Sequence, residues 1–214
     1  MPLIAFEGID GSGKFTQLIR TKEWLMEQNI FVVHSSEPND QSSPMGDHIR
    51  KILKGSKPHP GDPVEFQRMY VIDRAQDIFC FIRPALQEGE VYLIERYAFS
   101  TMAYGMLSGP METFFELHTS ILGNSMIWPD MTIILDIPGE EGAKRRGKLP
   151  GNPQFFEKAE LLEKVRQNYL EIAHHSIFRN SIVIINGSQP EEEVFQNVKS
   201  VMKSFLKGRN YAVN

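Results

Sequence analysis

Cysteine is nearly absent: Cys80 is the only one among 214 residues. An internal disulfide and a thiolate metal cluster are therefore excluded, and the residue reads as a small buried hydrophobe. Long apolar runs are missing too. No stretch approaches the ~20 residues of a membrane helix, and the N-terminus lacks a charged region followed by a hydrophobic segment, so nothing secreted or membrane-spanning is expected. Basic charge is in deficit, with 23 Lys and Arg against 27 Asp and Glu and a net charge of −4. That balance argues against general binding to nucleic acid and suits a soluble, cytosolic protein, while local basic clusters can still hold small phosphates. The histidines are few: His34, His48, His59 and His118 show no metal-ligand spacing, and the His174-His175 pair reads as surface or helix C-terminal capping.

A hydrophobic content of 41% is enough for one compact core, so residues 1–214 are expected to form a single domain. Short apolar runs, "LIAF" (3–6), "FVV" (31–33), "VYLI" (91–94), "TIILDI" (132–137) and "IVII" (182–185), are continuous rather than alternating. They read as strands buried on both faces, the signature of a parallel sheet. Between them lie helical stripes: Leu18, Ile19, Leu25 and Met26, then helices over 64–88 and 156–176, and a last stripe at Val194, Val198, Val201, Met202 and Phe205. Strands alternating with helices predict an α/β three-layer fold with helices on both faces. Segments 35–46, 54–63, 105–112 and 138–154 are rich in Gly, Pro, Ser and Asn and are expected to be loops. In such sheets ligands bind beyond the carboxyl ends of the strands, where these loops gather.

The stretch "GIDGSGKFT" (8–16) follows the first strand and opens a helix. It fits the phosphate-binding pattern G-x-x-x-x-G-K-[ST] at every fixed position except the last, where Phe15 replaces the hydroxyl that touches Mg²⁺. Gly8, Gly11, Ser12, Gly13, Lys14, Phe15 and Thr16 thus form the expected site for a nucleotide triphosphate, with main-chain amides and the helix N-terminus facing the phosphates and Lys14 reaching the terminal ones. Phe15 has two readings. It extends the stripe through Leu18 and Ile19 and packs on the sheet, or it leaves the ion one oxygen short; Thr16 offers a hydroxyl about 100° away around the helix. Since Mg²⁺ keeps several waters, weakened rather than abolished metal dependence is expected.

With "FEGIDGSGK" (6–14), the segments "MYVIDRAQ" (69–76), "IRPAL" (82–86), "ERYAFSTMAY" (95–104) and "PDMTIILDI" (129–137) occur in an order that resembles the thymidylate kinases, from Leu3 to about Ala173. The resemblance implies a P-loop NTPase fold with a five-stranded parallel sheet ordered 2-3-1-4-5. It also implies transfer of the γ-phosphoryl of ATP to dTMP, with Mg²⁺, in an enzyme that is commonly a homodimer. By the same resemblance Asp10 lies near the acceptor's 3′-hydroxyl and phosphate, Arg50 and Arg96 hold that phosphate, and Glu95 holds the metal through water. Tyr70 stacks on thymine, Arg74 bonds the O4 edge, Thr101 sits near the pyrimidine edge, and Tyr104 crowds the sugar 2′ position. The segment from Gly142 to Gly151 looks like the lid, placed at about 138–154. Lys144, Arg145, Arg146 and Lys148 lie on it, and Arg145 and Arg146 serve catalysis because Gly11 and Ser12 stand where another class has its P-loop arginine. The chemistry agrees, since a guanidinium binds phosphate oxygens in pairs and neutralises charge at the transferring group.

Four positions depart from the pattern. Besides Phe15, Glu95 replaces the usual aspartate, Ser36-Glu37-Pro38-Asn39-Asp40 stands for Arg-Glu-Pro-Gly-Gly, keeping Glu37 on the acceptor side, and Gly105 replaces a glutamine that touches thymine. Three readings stay open at this point: a dTMP kinase using Mg·ATP, a kinase of other deoxynucleosides or nucleotides, and a nucleotide-binding regulator with little turnover. "DRAQ" and the basic lid argue against the second.

Overall fold

The computed structural model describes residues 1–147, 159–209 and 211. Its centre is a five-stranded parallel sheet, β1 (Leu3–Glu7), β2 (Val32–Ser36), β3 (Val91–Glu95), β4 (Met131–Asp136) and β5 (Ile182–Asn186), in the spatial order β2-β3-β1-β4-β5. This is the order the resemblance implied. Register is continuous across the middle: Phe6 lies opposite Glu95 on one side and Ile133 on the other.

The side chains of β1 explain why its run is unbroken. Leu3 and Ala5 enter one core with Tyr92, Ile94 and Ile134, whereas Ile4 and Phe6 enter a second core with Leu93, Ile133 and Leu135. Both faces of the central strands are therefore covered. The outer strands behave differently: every residue of β2 is only half-buried, Phe31 just before it is 78% exposed, and Ile184 in β5 is 39% exposed. Continuity of an apolar run does not distinguish an edge strand, where one flank meets solvent.

The second core is closed by α1 (Lys14–Glu27) and α9 (Glu191–Lys207), through Leu18 and Leu25 on one and Val194, Val198 and Met202 on the other. Met26, expected in the first stripe, is exposed. The first core is covered by α3 (Pro63–Asp77), α5 (Ala98–Gly105), α6 (Met111–Leu122) and α8 (Ala159–His174), with α2 (Pro44–Leu53) packed outside α3 through Ile49, Ile52 and Phe66. Leu162, Val165, Tyr169 and Ile172 of α8 are all buried, as their spacing predicts; Phe156 lies outside the described residues.

Three expectations are corrected. The helix predicted over 64–88 is α3, a π-helical turn at Ile78–Ile82, and α4 (Arg83–Glu88). Within that turn Phe79, Cys80 and Phe81 face solvent, so Cys80 is exposed rather than buried. The third concerns 138–154, where a helix, α7 (Gly139–Arg146), replaces the front of the expected loop. Its glycine content conceals good helix electrostatics: Glu140 and Glu141 sit in the first turn, Lys144, Arg145 and Arg146 in the last, and Glu141 pairs with Arg145 one turn on. Pro138 offers no cap, and Glu163 of α8 accepts from Gly139 N at 2.7 Å instead. Lys148 and the rest of the predicted lid lie outside the described residues. Among the described residues no helix is long and apolar enough to cross a membrane.

Candidate active site

Beyond the carboxyl ends of the strands lies an open cleft. β1 delivers Asp10 to it, β2 Ser36 and Glu37, β3 Glu95 and Arg96, and α7, which follows β4, Arg146.

The loop between β1 and α1 turns on glycine. Gly11 has φ 82°, and a Cβ there would lie 2.4 Å from the carbonyl oxygen of Gly142 on α7. Only two glycines allow α7 to approach the loop backbone this closely. Lys14 is 4% exposed and its Nζ donates to Ile9 O at 2.9 Å, folding the side chain under the loop. Burial, then the nearby Arg96 charge, pushes its pKa down to about 8. Ser12 Oγ in the same loop is buried without a hydrogen-bond partner among the described residues. Phe15 settles one of the two sequence readings: it is 55% exposed and does not pack on the sheet. Thr16 is exposed beside it.

The charged centre of the cleft is a salt bridge between Arg96 and Asp10. Arg96 occupies a left-handed backbone conformation, φ 60°, unusual for a side chain of its size. Its guanidinium also reaches Gly8 O at 3.5 Å and Ser100 Oγ at 3.4 Å and lies 5.5 Å from the centre of the Tyr104 ring. Burial alone would raise the Asp10 carboxyl, but Arg96, Lys14 and Arg146 outweigh it and hold the group below the usual carboxylate range. Asp10 is therefore an anion enclosed by three cations. Arg50 reaches the cleft from α2, donating from Nη2 to Pro38 O at 3.3 Å and lying 3.3 Å from Asp40, one of the two residues that stand for the family's glycine pair.

Tyr70 forms one wall, edge-on to Phe66 at 5.5 Å, and Thr101 and Tyr104 another. Arg74 does not face the cleft. It shares the helix face of Tyr70, as the four-residue spacing requires, but its long side chain turns inward and is fully buried. There it binds both carboxylate oxygens of Glu37 and donates to Thr101 Oγ1 at 3.2 Å. Burial acts to lower its pKa and the Glu37 carboxylate outweighs this, so the guanidinium stays charged. Behind it stands His118, whose Nδ1–H donates to Phe114 O at 2.7 Å, leaving Nε2 to accept from Arg74. Burial and the Arg74 charge press the His118 pKa down to about 3, which keeps the ring neutral. Arg74 thus fixes Glu37 and Thr101 from behind the wall.

Of the sequence-predicted residues, Asp10, Glu37, Arg50, Tyr70, Glu95, Arg96, Thr101, Tyr104 and Arg146 meet in the cleft. Arg145 points at the loop backbone, donating to Gly187 O at 3.0 Å and Gly11 O at 3.5 Å, and Lys144 is exposed. Sequence reasoning missed Gln67 and Ser100, which also line the cleft. Gln67 sits one helical turn before Tyr70, so helical spacing could have found it; Ser100, in α5 beyond the left-handed turn at Arg96, and His118, on another helix, carried no such signal. Gly105 has a packing reason: a Cβ there would lie 2.4 Å from the buried Phe114 ring, which fills the space a longer residue would need.

Residues 6–198 match the family model described as thymidylate kinase. A probable thymidylate kinase of Pyrococcus horikoshii is 34% identical over 210 residues, covering 96% of this chain and 97% of that one. The thymidylate kinase of Nitratidesulfovibrio vulgaris is 35% identical over 216 residues, with 95% and 96% covered, and that of Thermoanaerobacter sp. strain X514 is 32% identical over 203 residues, with 95% and 98% covered. The match spans the glycine loop, the charged cleft and the helices that close it, and on a sheet of this order the chain belongs to the thymidylate kinase family.

Proposed function

We propose that this protein transfers the γ-phosphoryl group of ATP to dTMP, giving ADP and dTDP. The Arg96–Asp10 pair carries the reading: it stands where the glycine loop meets the cleft, so a phosphate held by Arg96 lies beside the terminal phosphate held by Lys14.

In this reading the triphosphate lies on the amides of residues 8–16, with Lys14 turning from Ile9 O to the β- and γ-phosphates. The dTMP phosphate takes the guanidinium groups of Arg96 and Arg50, displacing Asp40 from the latter. Its base packs on Tyr70, Tyr104 crowds the 2′ position, and Thr101, which accepts from Arg74, presents its own hydrogen to the pyrimidine edge. An oxygen of the dTMP phosphate attacks the γ-phosphorus in line. The bond from phosphorus to the β–γ bridging oxygen breaks, and ADP leaves with that electron pair. The attacking oxygen is already anionic, so no general base is needed, and catalysis consists of positioning and charge neutralisation. Arg146, in the cleft, and Arg145, held against the loop, meet the charge developing on the transferred group.

The donors near the loop suit Mg²⁺. Glu95 supplies hard carboxylate oxygens at the cleft, and phosphates and water would fill the remaining positions of the ion. Glu95 would hold it through water, and the ion would neutralise β- and γ-phosphate oxygens. A single catalytic domain and a cytoplasmic location, supported by hydrophobic content and charge balance, and a homodimer, which rests on the family resemblance, complete the reading.

ADP release is measured from Mg·ATP with dTMP, dUMP, dCMP, dGMP or thymidine offered separately. The fastest turnover is expected with dTMP. Turnover of thymidine without dTMP, or binding of dTMP without turnover, overturns the assignment.

A further inference from the structure

Glu7, the last residue of β1, is fully buried, yet takes no part in the phosphoryl transfer described above and does not line the cleft. Its carboxylate is held by neutral donors. Oε1 accepts from Tyr97 N at 2.8 Å and Ser100 N at 3.1 Å, and Oε2 from Ser100 Oγ at 2.6 Å and Tyr169 OH at 3.0 Å. A buried carboxylate is stable only if so satisfied, and an anion at a helix N-terminus gains further from the helix dipole. The helix in question is α5, whose own N-cap residue, Tyr97, provides no side-chain cap. Glu7 supplies that cap from 90 residues upstream.

The residue just before this cap is Arg96. Its main-chain N donates to Phe6 O at 3.0 Å, its successor's N to Glu7, and its backbone between them is left-handed. The turn that aims the guanidinium is thus tied at both ends to the last two residues of β1. A second connection runs through side chains, because Ser100 Oγ donates to Glu7 and accepts from Arg96 Nη1. Tyr169 brings in α8, which also holds α7 through Glu163.

We propose that Glu7 is a positioning residue for Arg96: it caps α5 and holds the turn that orients the acceptor-binding guanidinium, so that its hydrogen bonds govern use of dTMP more than affinity for ATP. The proposal rests on the reading that Arg96 holds the acceptor phosphate. Glu7→Gln is the informative change, because the amide keeps one oxygen for the two main-chain N–H groups and turns an NH₂ toward Ser100 and Tyr169. Steady-state kinetics of Glu7→Gln, Arg96→Lys and the double variant are measured with ATP-analogue binding and thermal melting. Glu7→Gln is expected to lower kcat/KM for dTMP about tenfold, the effect of one charge-assisted hydrogen bond network, with analogue affinity within about twofold of the parent. The double variant is expected to be no worse than Arg96→Lys alone. Additive losses, or equal losses of analogue affinity and dTMP turnover, overturn the proposal while leaving the role of Arg96 intact. An Arg96→Lys variant with unchanged dTMP kinetics overturns the role of Arg96 and this proposal together. If Glu7→Gln does not fold, Ser100→Ala breaks only the side-chain connection; it is expected to show a smaller drop of about threefold that disappears in the Arg96→Lys background, and a drop that persists there refutes the proposal.

Discussion

Gly142→Ala tests whether backbone contact between α7 and the nucleotide loop sets the rate. An alanine in the middle of an exposed helix normally stabilises it by about 1 kcal/mol relative to glycine. Here the added Cβ would stand 2.6 Å from Asp10 O and 2.9 Å from Ile9 Cδ1. Ordinary contact begins near 3.4 Å, so α7 must withdraw by about 0.8 Å. Overpacking of that size costs about 1–3 kcal/mol, partly offset by the helix preference, and a melting shift of only a few degrees is expected. Activity is more sensitive. Arg145 and Arg146 ride on α7, Arg145 bonded to Gly11 O and Gly187 O and Arg146 in the cleft. A displacement near 1 Å in a charge-stabilising group costs on the order of 10²-fold in rate. We therefore expect kcat to fall about 10- to 100-fold in an ADP-release assay, with dTMP and Mg·ATP saturating, while the melting temperature moves little. A variant with parental kcat and a higher melting temperature would refute the reasoning, because the alanine would then fit and the glycine contact would not set the position of the arginines.

Phe15→Thr restores a hydroxyl at an exposed position, so stability should be unchanged while the Mg²⁺ concentration for half-maximal rate falls; an unchanged or raised requirement in a Mg²⁺ titration contradicts this. The acid profile of stability should show two opposing groups. His118 has a folded pKa near 3 against 6.5 unfolded, so its contribution is complete above pH 6.5 and is lost as pH falls, about 2 kcal/mol by pH 5. Asp77 is the reverse. Its pKa is raised from 3.8 to about 6, chiefly by burial, so the folded state holds the proton longer, and a penalty present above pH 6 is relieved as pH falls toward 3.8. Asp77→Asn should therefore raise stability by about 1–3 kcal/mol at pH 7.5 and steepen the loss below pH 6.5, measured by denaturant unfolding at pH 7.5, 6 and 5; a less stable variant at pH 7.5 counts against the account.

Much of the molecule was legible from local pattern. Continuous apolar runs announced β1, β3 and β4 because parallel strands covered on both faces need nothing else, and the glycine spacing of 8–14 announced the phosphate loop because backbone geometry there excludes side chains. Where sequence reading failed, the cause lay in neighbours distant along the chain. Helix α7 looked like a loop because Gly142 serves contact with Gly11 and Asp10, Gly139 contact with α8, and its cap comes from Glu163. Arg74 looked like a cleft residue because spacing fixes its helix face and not the direction of its side chain, which Glu37 and His118 decide. Glu7, at the end of β1, carried no local signal, and only folding brings it to the start of α5. Periodicity and turn chemistry act over a few residues, so the sequence by itself determined the sheet, its helices and the phosphate loop. Burial of charge is settled by partners tens of residues away, and for that reason tertiary structure alone decided which arginines face the cleft and which hold its walls.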